Sequence, residues 1–129
     1  MRILLADDNE WVRRGVKSIL ASMSAWEICG EAKSGEEAVQ IAGEVLPDLV
    51  LLDVSMPGLN GLDAARLLRE KVPTAKILIM SQHDPALLLS RALDAGAHAC
   101  VDKSRLSVSL LPTIASVMGG VKNQPGPQS

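Results

Sequence analysis

Polar side chains suited to binding a cation and a phosphoryl group follow four short apolar runs of this sequence. They are the acidic pair Asp7 and Asp8, then Asp53, Ser81 and Lys103. Three carboxylates brought together repel one another unless a cation lies among them. Oxygen ligands suit Mg²⁺, which keeps coordination positions for water and phosphate, and a hydroxyl with an ammonium group can bind further phosphoryl oxygens. The pattern predicts a site for phosphoryl chemistry wherever these residues meet.

The elements that must position these residues are five short runs rich in β-branched residues and leucine. They occupy residues 3–6, 26–30, 49–52, 77–80 and 97–101, and a segment with helical spacing follows each. The runs do not alternate between polar and apolar residues, which indicates strands buried on both faces of a parallel sheet. Because βα units connect through right-handed crossovers, the sequence predicts a doubly wound α/β domain with helices on both faces. The carboxyl ends of the strands then meet at one edge, where sites form.

Local signals mark the helices between these strands. Ser34 and Glu37 form a predicted capping box at the start of the second helix. Asp84-Pro85 opens the fourth helix, and Gly96 closes it. In the first helix, apolar residues at three- and four-residue spacing predict one buried stripe, which comprises Val12, Val16, Ile19, Leu20 and Met23.

Length and composition limit the kind of protein that this can be. The 129 residues allow one globular domain, and the hydrophobic (47%) and charged (22%) fractions disfavour general disorder. With no Phe or Tyr and a formal net charge of -2, the chain lacks the aromatic platforms and basic runs of nucleic-acid binders. No apolar run is long enough for a signal peptide or a membrane helix. We therefore expect a cytoplasmic domain that does not itself contact nucleic acid or membranes.

The cysteines and histidines do not have the spacing of transition-metal ligands. Cys29 and Cys100 are far apart in the sequence, and neither His83 nor His98 has a Cys or His three or four residues away. Two cysteines cannot supply a disulfide framework. We expect both to be reduced, packed thiols.

The motifs together resemble those of receiver domains of two-component response regulators. The resemblance covers about residues 2–120 and rests on the acidic pair, residues 53–58 with 60–61, Ser81, and Gly96-Ala97 before Lys103. Residues 6–9, 30–32, 81–84 and 96–99 are similar to those of the NarL/FixJ (LuxR-type) subfamily. The resemblance implies a flavodoxin-like receiver fold with a five-stranded parallel sheet in the order 2-1-3-4-5, flanked by five helices. It also implies a receiver domain at residues 1–120, with a flexible tail or linker stump at 121–129.

The same resemblance implies a phosphoacceptor and a magnesium site. Asp53 would take a phosphoryl group from a histidine kinase or a phosphotransfer protein. Mg²⁺ would be held by the carboxylates of Asp7, Asp8 and Asp53, with Asp8 binding directly and Asp7 mainly through water. The backbone carbonyl of Ser55 would complete the protein ligands.

Two further side chains would contact the phosphoryl group. Lys103 would pair first with the carboxylates and then with the phosphoryl oxygens, and Ser81 would donate a hydrogen bond. Such a domain is not an enzyme beyond its own phosphorylation and dephosphorylation. It would control an output or a partner. Family members often carry a C-terminal helix-turn-helix, which this chain does not contain.

Four positions depart from the family's pattern. Cys100 stands where receivers usually have Tyr or Phe, so we expect coupling between the site and the domain surface to be weak or to work without an aromatic ring. Gln82 is larger than the usual Ala or Gly and is expected to restrict access. Ser104 stands where many receivers have Pro. Pro112 falls inside the fifth helix, which should therefore start late or kink before it stops at Gly119-Gly120.

These departures keep an alternative open, a receiver-like interaction module that works without phosphorylation. A small Mg²⁺-dependent phosphohydrolase is a second alternative, disfavoured because the sequence has no Gly-rich phosphate loop after the first strand and no Asp-x-Asp pair. The consecutive leucines at 87–89 sweep too wide an arc for all three to face a sheet. At least one should be exposed, which suggests homodimerisation through helices 4 and 5.

Overall fold

Strands and helices alternate along the chain. The structure, a computed structural model, describes residues 1–82 and 84–119. Its strands are β1 (Arg2–Ala6), β2 (Glu27–Ala32), β3 (Leu49–Asp53), β4 (Lys76–Ser81) and β5 (Ala99–Asp102). Its helices are α1 (Glu10–Leu20), α2 (Gly35–Val45), α3 (Gly61–Lys71), α4 (Pro85–Asp94) and α5 (Leu106–Gly119), with a 3₁₀ turn at Lys103–Arg105. No described helix combines the length and the apolar character that crossing a membrane requires.

The five strands form one parallel sheet in the order β2-β1-β3-β4-β5. The predicted fold is thereby confirmed, and every strand begins and ends within two residues of the run that predicted it. β5 starts later than predicted because the Ala97 N–H closes the end of α4, donating to the Ala92 carbonyl at 2.9 Å. The order places β1 beside β3 and β3 beside β4, so the ends of these three strands lie together.

Helices cover both faces of the sheet. β3 is buried along its whole length, and its side chains alternate between two aliphatic layers. Val50 and Leu52 pack in the layer under α2, α3 and α4, whereas Leu49 and Leu51 pack in the layer under α1 and α5. This close packing on both faces gives the strand ends a rigid support.

The predicted capping box at the start of α2 differs in one hydrogen bond. The Ser34 hydroxyl accepts from the Glu37 N–H at 3.1 Å, as predicted. The Glu37 carboxylate, however, accepts from the N–H of Lys33 at 2.7 Å rather than from that of Ser34. The reason is that β2 ends at Ala32, which leaves the next N–H outside the sheet.

The predicted ends of α4 are confirmed. The Asp84 carboxylate accepts from the Ala86 N–H at 2.9 Å, and Pro85 occupies the first helical position. Gly96 follows the helix with a φ of 97°, a left-handed conformation that suits glycine.

One prediction about the helices was wrong. Met23 does not belong to the buried stripe of α1, because the helix ends at Leu20 and a turn leaves Met23 36% exposed. Of the two outcomes predicted for α5, the late start does not occur, since the helix begins directly after the 3₁₀ turn and contains Pro112. A kink at Pro112 stays a prediction. Gly119 is the last described residue of α5. His83, Gly120 and the predicted tail at residues 121–129 lie outside the described residues.

Candidate functional site

The carboxyl ends of the central strands bring the predicted acidic residues together. Asp7 directly follows β1, Asp8 comes next, and Asp53 is the last residue of β3. One carboxylate oxygen from each of the three lies within 4.8 Å of the others. Asp7 and Asp53 are buried, whereas Asp8 is exposed at the rim. The three residues could therefore hold one cation between them.

Lys103 places its ammonium group between two of these carboxylates. Its Nζ lies 2.8 Å from Oδ2 of Asp7 and 3.1 Å from Oδ1 of Asp53, and its side chain is only 9% exposed. The turn that carries Lys103 is held by Asp102, whose carboxylate accepts from the N–H of Ser104 at 2.9 Å and from its hydroxyl at 2.7 Å. Ser104, at the position where many receivers have Pro, thus helps to fix the lysine.

The charges of Asp53 and Lys103 depend on each other. Burial raises the pKa of Asp53 above its ordinary value of 3.8, and the Asp7 charge adds to this, while the Ser55 N–H and Lys103 oppose it. Burial alone would lower the pKa of Lys103, but its contacts with Asp7 and Asp53 outweigh burial and raise it. Lys103 is therefore charged at neutral pH and partly offsets the repulsion between the carboxylates.

The two oxygens of Asp7 differ in a way that fits a cation. Oδ1 accepts a hydrogen bond from the Asn9 N–H at 2.8 Å. Oδ2 is buried and forms the ion pair with Lys103, but no donor of the described residues is aligned with it for a hydrogen bond. A buried oxygen of this kind retains capacity for a further partner. With two more carboxylates nearby, the donor set suits a hard cation such as Mg²⁺.

An open pocket of about 220 Å³ lies above these groups. It is lined by Asp8, Asn9, Asp53, Ser55, Gln82 and Lys103. Within it, Oδ1 of Asp53 accepts from the Ser55 N–H at 3.1 Å. Gln82 lies at the rim of the pocket, where its side chain could restrict access to the phosphoryl site. That restriction stays a prediction. The pocket is large enough for a cation and a phosphoryl group.

Ser81 lies behind this pocket rather than on its surface. It is fully buried at the end of β4, where it pairs in register with Asp102. Its neighbour Met80 pairs with Asp53. Ser81 is thus one strand away from Asp53, the phosphoacceptor candidate. It lies at the same edge of the sheet as the other predicted site residues.

Cys100 lies in the layer between the sheet and α4. It is partly buried and packs against the same aliphatic cluster as Leu88. Burial and the nearby Asp102 raise the pKa of its thiol to about 11, so the side chain is neutral at physiological pH. Cys29 is also partly buried and free, in agreement with the prediction for both cysteines.

Two residues beside the site were not predicted from the sequence. Asn9 lines the pocket and caps α1, its side chain accepting from the Trp11 N–H at 2.8 Å. Arg13 is buried beneath the acidic pair and donates to the Asp7 carbonyl at 2.7 Å. A signal for Arg13 was available, because its spacing from Val16 places it on the buried face of α1.

Similar proteins place the chain in a family. Residues 3–114 match the response regulator receiver domain. Transcriptional activator protein ExaE of Pseudomonas putida is 38% identical over 120 residues, which cover 93% of this chain and 56% of that protein. A protein-glutamate methylesterase/protein-glutamine glutaminase of Pyrococcus abyssi is 38% identical over 111 residues, 85% of this chain and 30% of that protein. The chain spans about half the length, or less, of these curated relatives.

A solved structure agrees with this assignment. The two-component response regulator of the LuxR family from Aurantimonas sp. SI85-9A1 superposes with a TM-score of 0.86 at 32% sequence identity, over 92% of this chain and 85% of that one. The chain therefore belongs to the response regulator receiver domain family and is a receiver domain of a two-component response regulator, similar to LuxR-type members.

Proposed function

We propose that this domain accepts a phosphoryl group on Asp53 from a histidine kinase or phosphotransfer protein, in a reaction that requires Mg²⁺. The observation that carries the proposal is the position of Lys103, whose ammonium group lies between Asp7 and Asp53 at the acidic edge. Receiver domains bind Mg²⁺ at such a cluster. Phosphorylation would then control an output or a partner.

The contacts of Asp53 support one of its two oxygens as the nucleophile in this proposal. Oδ1 is engaged by the Ser55 N–H and by Lys103, so Oδ2 is the oxygen left to attack phosphorus. A phosphorus–oxygen bond forms while the phosphorus–nitrogen bond of a phosphohistidine breaks, and the imidazole leaves with the electron pair. Lys103 transfers its contact from the carboxylate to the phosphoryl oxygens, and the Ser81 hydroxyl donates to one of them.

Mg²⁺ would be held by Asp7, Asp8, Asp53 and the backbone carbonyl of Ser55, and it would offset the charge on the phosphoryl oxygens. Each carboxylate would then face a cation instead of a like charge. Because Asp8 is the exposed member of the set, it is the side chain that the cation reaches first from solvent.

Phosphorylation from a small-molecule donor tests this proposal. Incubation of the chain with acetyl phosphate and Mg²⁺ should add one phosphoryl group, measured by intact-mass spectrometry, and chelation of Mg²⁺ should prevent the addition. Asp53→Asn should abolish it. Asp94→Asn, at the exposed end of α4, is the matched control and should be labelled as fully as the wild type. Undiminished labelling of Asp53→Asn would contradict the assignment.

We infer that the domain is a signalling module and not an enzyme with its own substrate. Known relatives favour neither alternative function, although one of them is a much longer methylesterase of which this chain covers 30%. Hydrolysis of p-nitrophenyl phosphate with Mg²⁺, abolished in Asp53→Asn, would instead support a phosphohydrolase. Unlabelled wild-type protein that still binds Mg²⁺ would support the interaction module.

The proposal includes the setting of the domain. We place the receiver at residues 1–120, with residues 121–129 as a tail or linker, and we expect it in the cytoplasm, where kinases have their phosphodonor. A DNA-binding output domain would lie outside this chain. The relative ExaE is a transcriptional activator about twice as long as the matched region, which supports that arrangement.

We further propose a homodimer through α4 and α5. Of the leucines at 87–89, Leu87 is 80% exposed and Leu89 is 40% exposed, as the sequence predicted for at least one of them. Leu93 on α4 and Val108 on α5 are also exposed. Both helices pack against the edge strand β5, and exposed apolar side chains around one edge of the sheet suit burial against a second copy.

Sedimentation with and without beryllofluoride, a mimic of the phosphoryl group, tests the dimer. Because Cys100 is expected to couple the site only weakly to this surface, the wild type should associate with similar strength with and without the mimic. Leu87→Glu should reduce association at least tenfold by placing a charge in the interface. Leu46→Glu changes another exposed leucine, 62% exposed at the end of α2; it is the control and should have no effect. A monomer at all concentrations under both conditions would contradict the proposal.

A further inference from the structure

Arg13 is a buried cation directly beneath the acidic pair. Its side chain comes from α1 and is nearly enclosed, as the residue is 8% exposed. One terminal nitrogen donates to the backbone carbonyl of Asp7 at 2.7 Å. Its Nε donates to the Glu31 carboxylate on β2 at 3.1 Å. The guanidinium therefore connects helix, edge strand and the end of β1.

The buried guanidinium of Arg13 needs an opposite charge and hydrogen-bond partners, and the structure contains both. A guanidinium removed from water is costly unless it is paired and hydrogen-bonded. Glu31 supplies the opposite charge, and Lys17 holds the other oxygen of that carboxylate at 2.9 Å. The contacts with Lys17 and Arg13 outweigh burial and keep the pKa of Glu31 below its ordinary value. The Glu31 carboxylate that pairs with Arg13 is therefore charged at neutral pH.

The carbonyl that Arg13 binds belongs to the peptide group that joins Asp7 to Asp8. Fixing this carbonyl fixes the plane of the peptide, and so the direction in which the Asp8 side chain leaves the backbone. Asp8 depends on this support, because its carboxylate has no hydrogen-bond or ion-pair partner among the residues that the structure describes. Asp7 has the Asn9 N–H and Lys103 to hold it.

We propose that Arg13 is a positioning residue for cation binding, which holds the Asp7–Asp8 peptide so that both carboxylates face the same point. The inference rests on the proposed magnesium site. Arg13 acts through the backbone and not by its charge. A free positive charge would repel Mg²⁺, but the charge of Arg13 is offset by Glu31 at 3.1 Å. Holding the Asp7–Asp8 peptide in place therefore affects Mg²⁺ binding more than the charge of Arg13 does.

A charge-matched substitution separates these two effects. Arg13→Lys keeps the positive charge, but a single ammonium cannot reproduce contacts that come from two nitrogens of the planar guanidinium. Mg²⁺ affinity would be measured by amide NMR titration with MgCl₂ at constant ionic strength, without a phosphodonor. We expect the Kd to rise about tenfold, the usual effect of losing a group that orients a metal ligand. The carbonyl carbon of Asp7 should also shift before any Mg²⁺ is added.

Lys17→Met is the matched control, because it removes a partner of Glu31 that does not touch Asp7. Its Kd should stay within about twofold of the wild-type value. Val16→Ala destabilises the same helix from its buried face and should also leave the Kd unchanged, which separates positioning from general loss of stability. An unchanged Kd for folded Arg13→Lys would overturn the inference while leaving the phosphoacceptor proposal intact. Failure of the wild type to bind Mg²⁺ would overturn both.

A second variant keeps the test decisive if Arg13→Lys does not fold. The double substitution Lys17→Met/Glu31→Gln leaves the net charge unchanged and removes the charged anchor of the guanidinium. It should raise the Kd several-fold and shift the Asp7 carbonyl carbon in the same direction. Wild-type values for both quantities would overturn the inference.

Discussion

Asp53 is a carboxylate whose ionisation opposes folding in the absence of a cation. Its pKa in the folded domain is raised above the ordinary value of 3.8, mainly by burial. The folded state therefore binds the proton of this group more tightly than the unfolded chain does. The contribution of Asp53 to stability then falls as pH rises from about 3.8 through the raised pKa of the folded state. At neutral pH the ionised side chain is a cost that a bound cation would remove.

Asp53→Asn should accordingly stabilise the domain at pH 7 without Mg²⁺. Urea unfolding followed by circular dichroism should give a higher midpoint for the variant, because the amide keeps an acceptor for the Ser55 N–H but carries no charge. The difference should vanish below the ordinary pKa of Asp, where both side chains are neutral. Added Mg²⁺ should stabilise the wild type more than the variant. A lower midpoint for Asp53→Asn at pH 7 would show that its ion pair with Lys103 outweighs burial.

The sequence predicted which polar side chains meet, because each follows an apolar run whose strand ends at the same edge of the sheet. The spacing of Arg13 from Val16 could place its side chain on the buried face of α1, but it could not show that this side chain contacts the acidic pair. The reason for a charged residue on an apolar helix face becomes clear only from its partners. Here the partners are Glu31 on β2 and the carbonyl of Asp7, which directly follows β1. The pairing of β1 with β2 brings them together, and that pairing is a property of the fold.

At the level of elements, the contact between β3 and α3 decides where the loop after Asp53 can go. Gly61 begins α3, and a Cβ at this position would lie 2.2 Å from the Asp53 carbonyl oxygen. Its N–H donates to the Val54 carbonyl at 3.0 Å. The helix can approach the strand this closely only because position 61 has no side chain.

Gly61→Ala should therefore destabilise the domain by about 2 kcal/mol, since the methyl group must displace backbone. The intrinsic helix preference of alanine, about 1 kcal/mol over glycine, is too small to offset this. Gly15→Ala in α1 is the matched control, because the added Cβ would meet nothing within 4 Å apart from the adjoining backbone of its own helix. Urea unfolding should show a gain of up to about 1 kcal/mol for the control. Equal stabilisation by both substitutions would contradict the close approach.

The first residues of the helices were predicted more accurately than the end of α1 or the course of α5 around its proline. The caps of α2 and α4 depend on side chains close in sequence, such as Ser34 and Asp84. The burial of Met23 depended on how far α1 continues, which tertiary contacts decide. Pro112 removes one backbone donor from α5, yet the apolar face with Leu110 and Ile114 packs on the sheet and maintains the helix.

At the level of the whole domain, Cys100 bears on how phosphorylation at one edge reaches α4 and α5. A small neutral thiol changes its buried area little when it moves. Phosphorylation can therefore shift the conformation of the α4 and α5 surface only slightly through this residue. We expect amide NMR spectra with beryllofluoride and Mg²⁺ to show large shifts near Asp53, Ser81 and Lys103 and small ones over residues 85–118. Asp53→Asn should show neither. Equally large shifts throughout residues 85–118 would show full switching without an aromatic ring.

The strand order also determines how the sheet is completed as the chain folds. β1 gains its inner neighbour only when Ile3 pairs with Leu49, and pairing of strands far apart in sequence slows folding. β4 remains an edge strand until β5 arrives, and its Ile77, Leu78 and Ile79 are fully buried in the finished domain. An open apolar edge is a template for pairing with other chains. The four-residue β5 therefore protects β4 from aggregation, and a nascent chain interrupted before it would expose that edge.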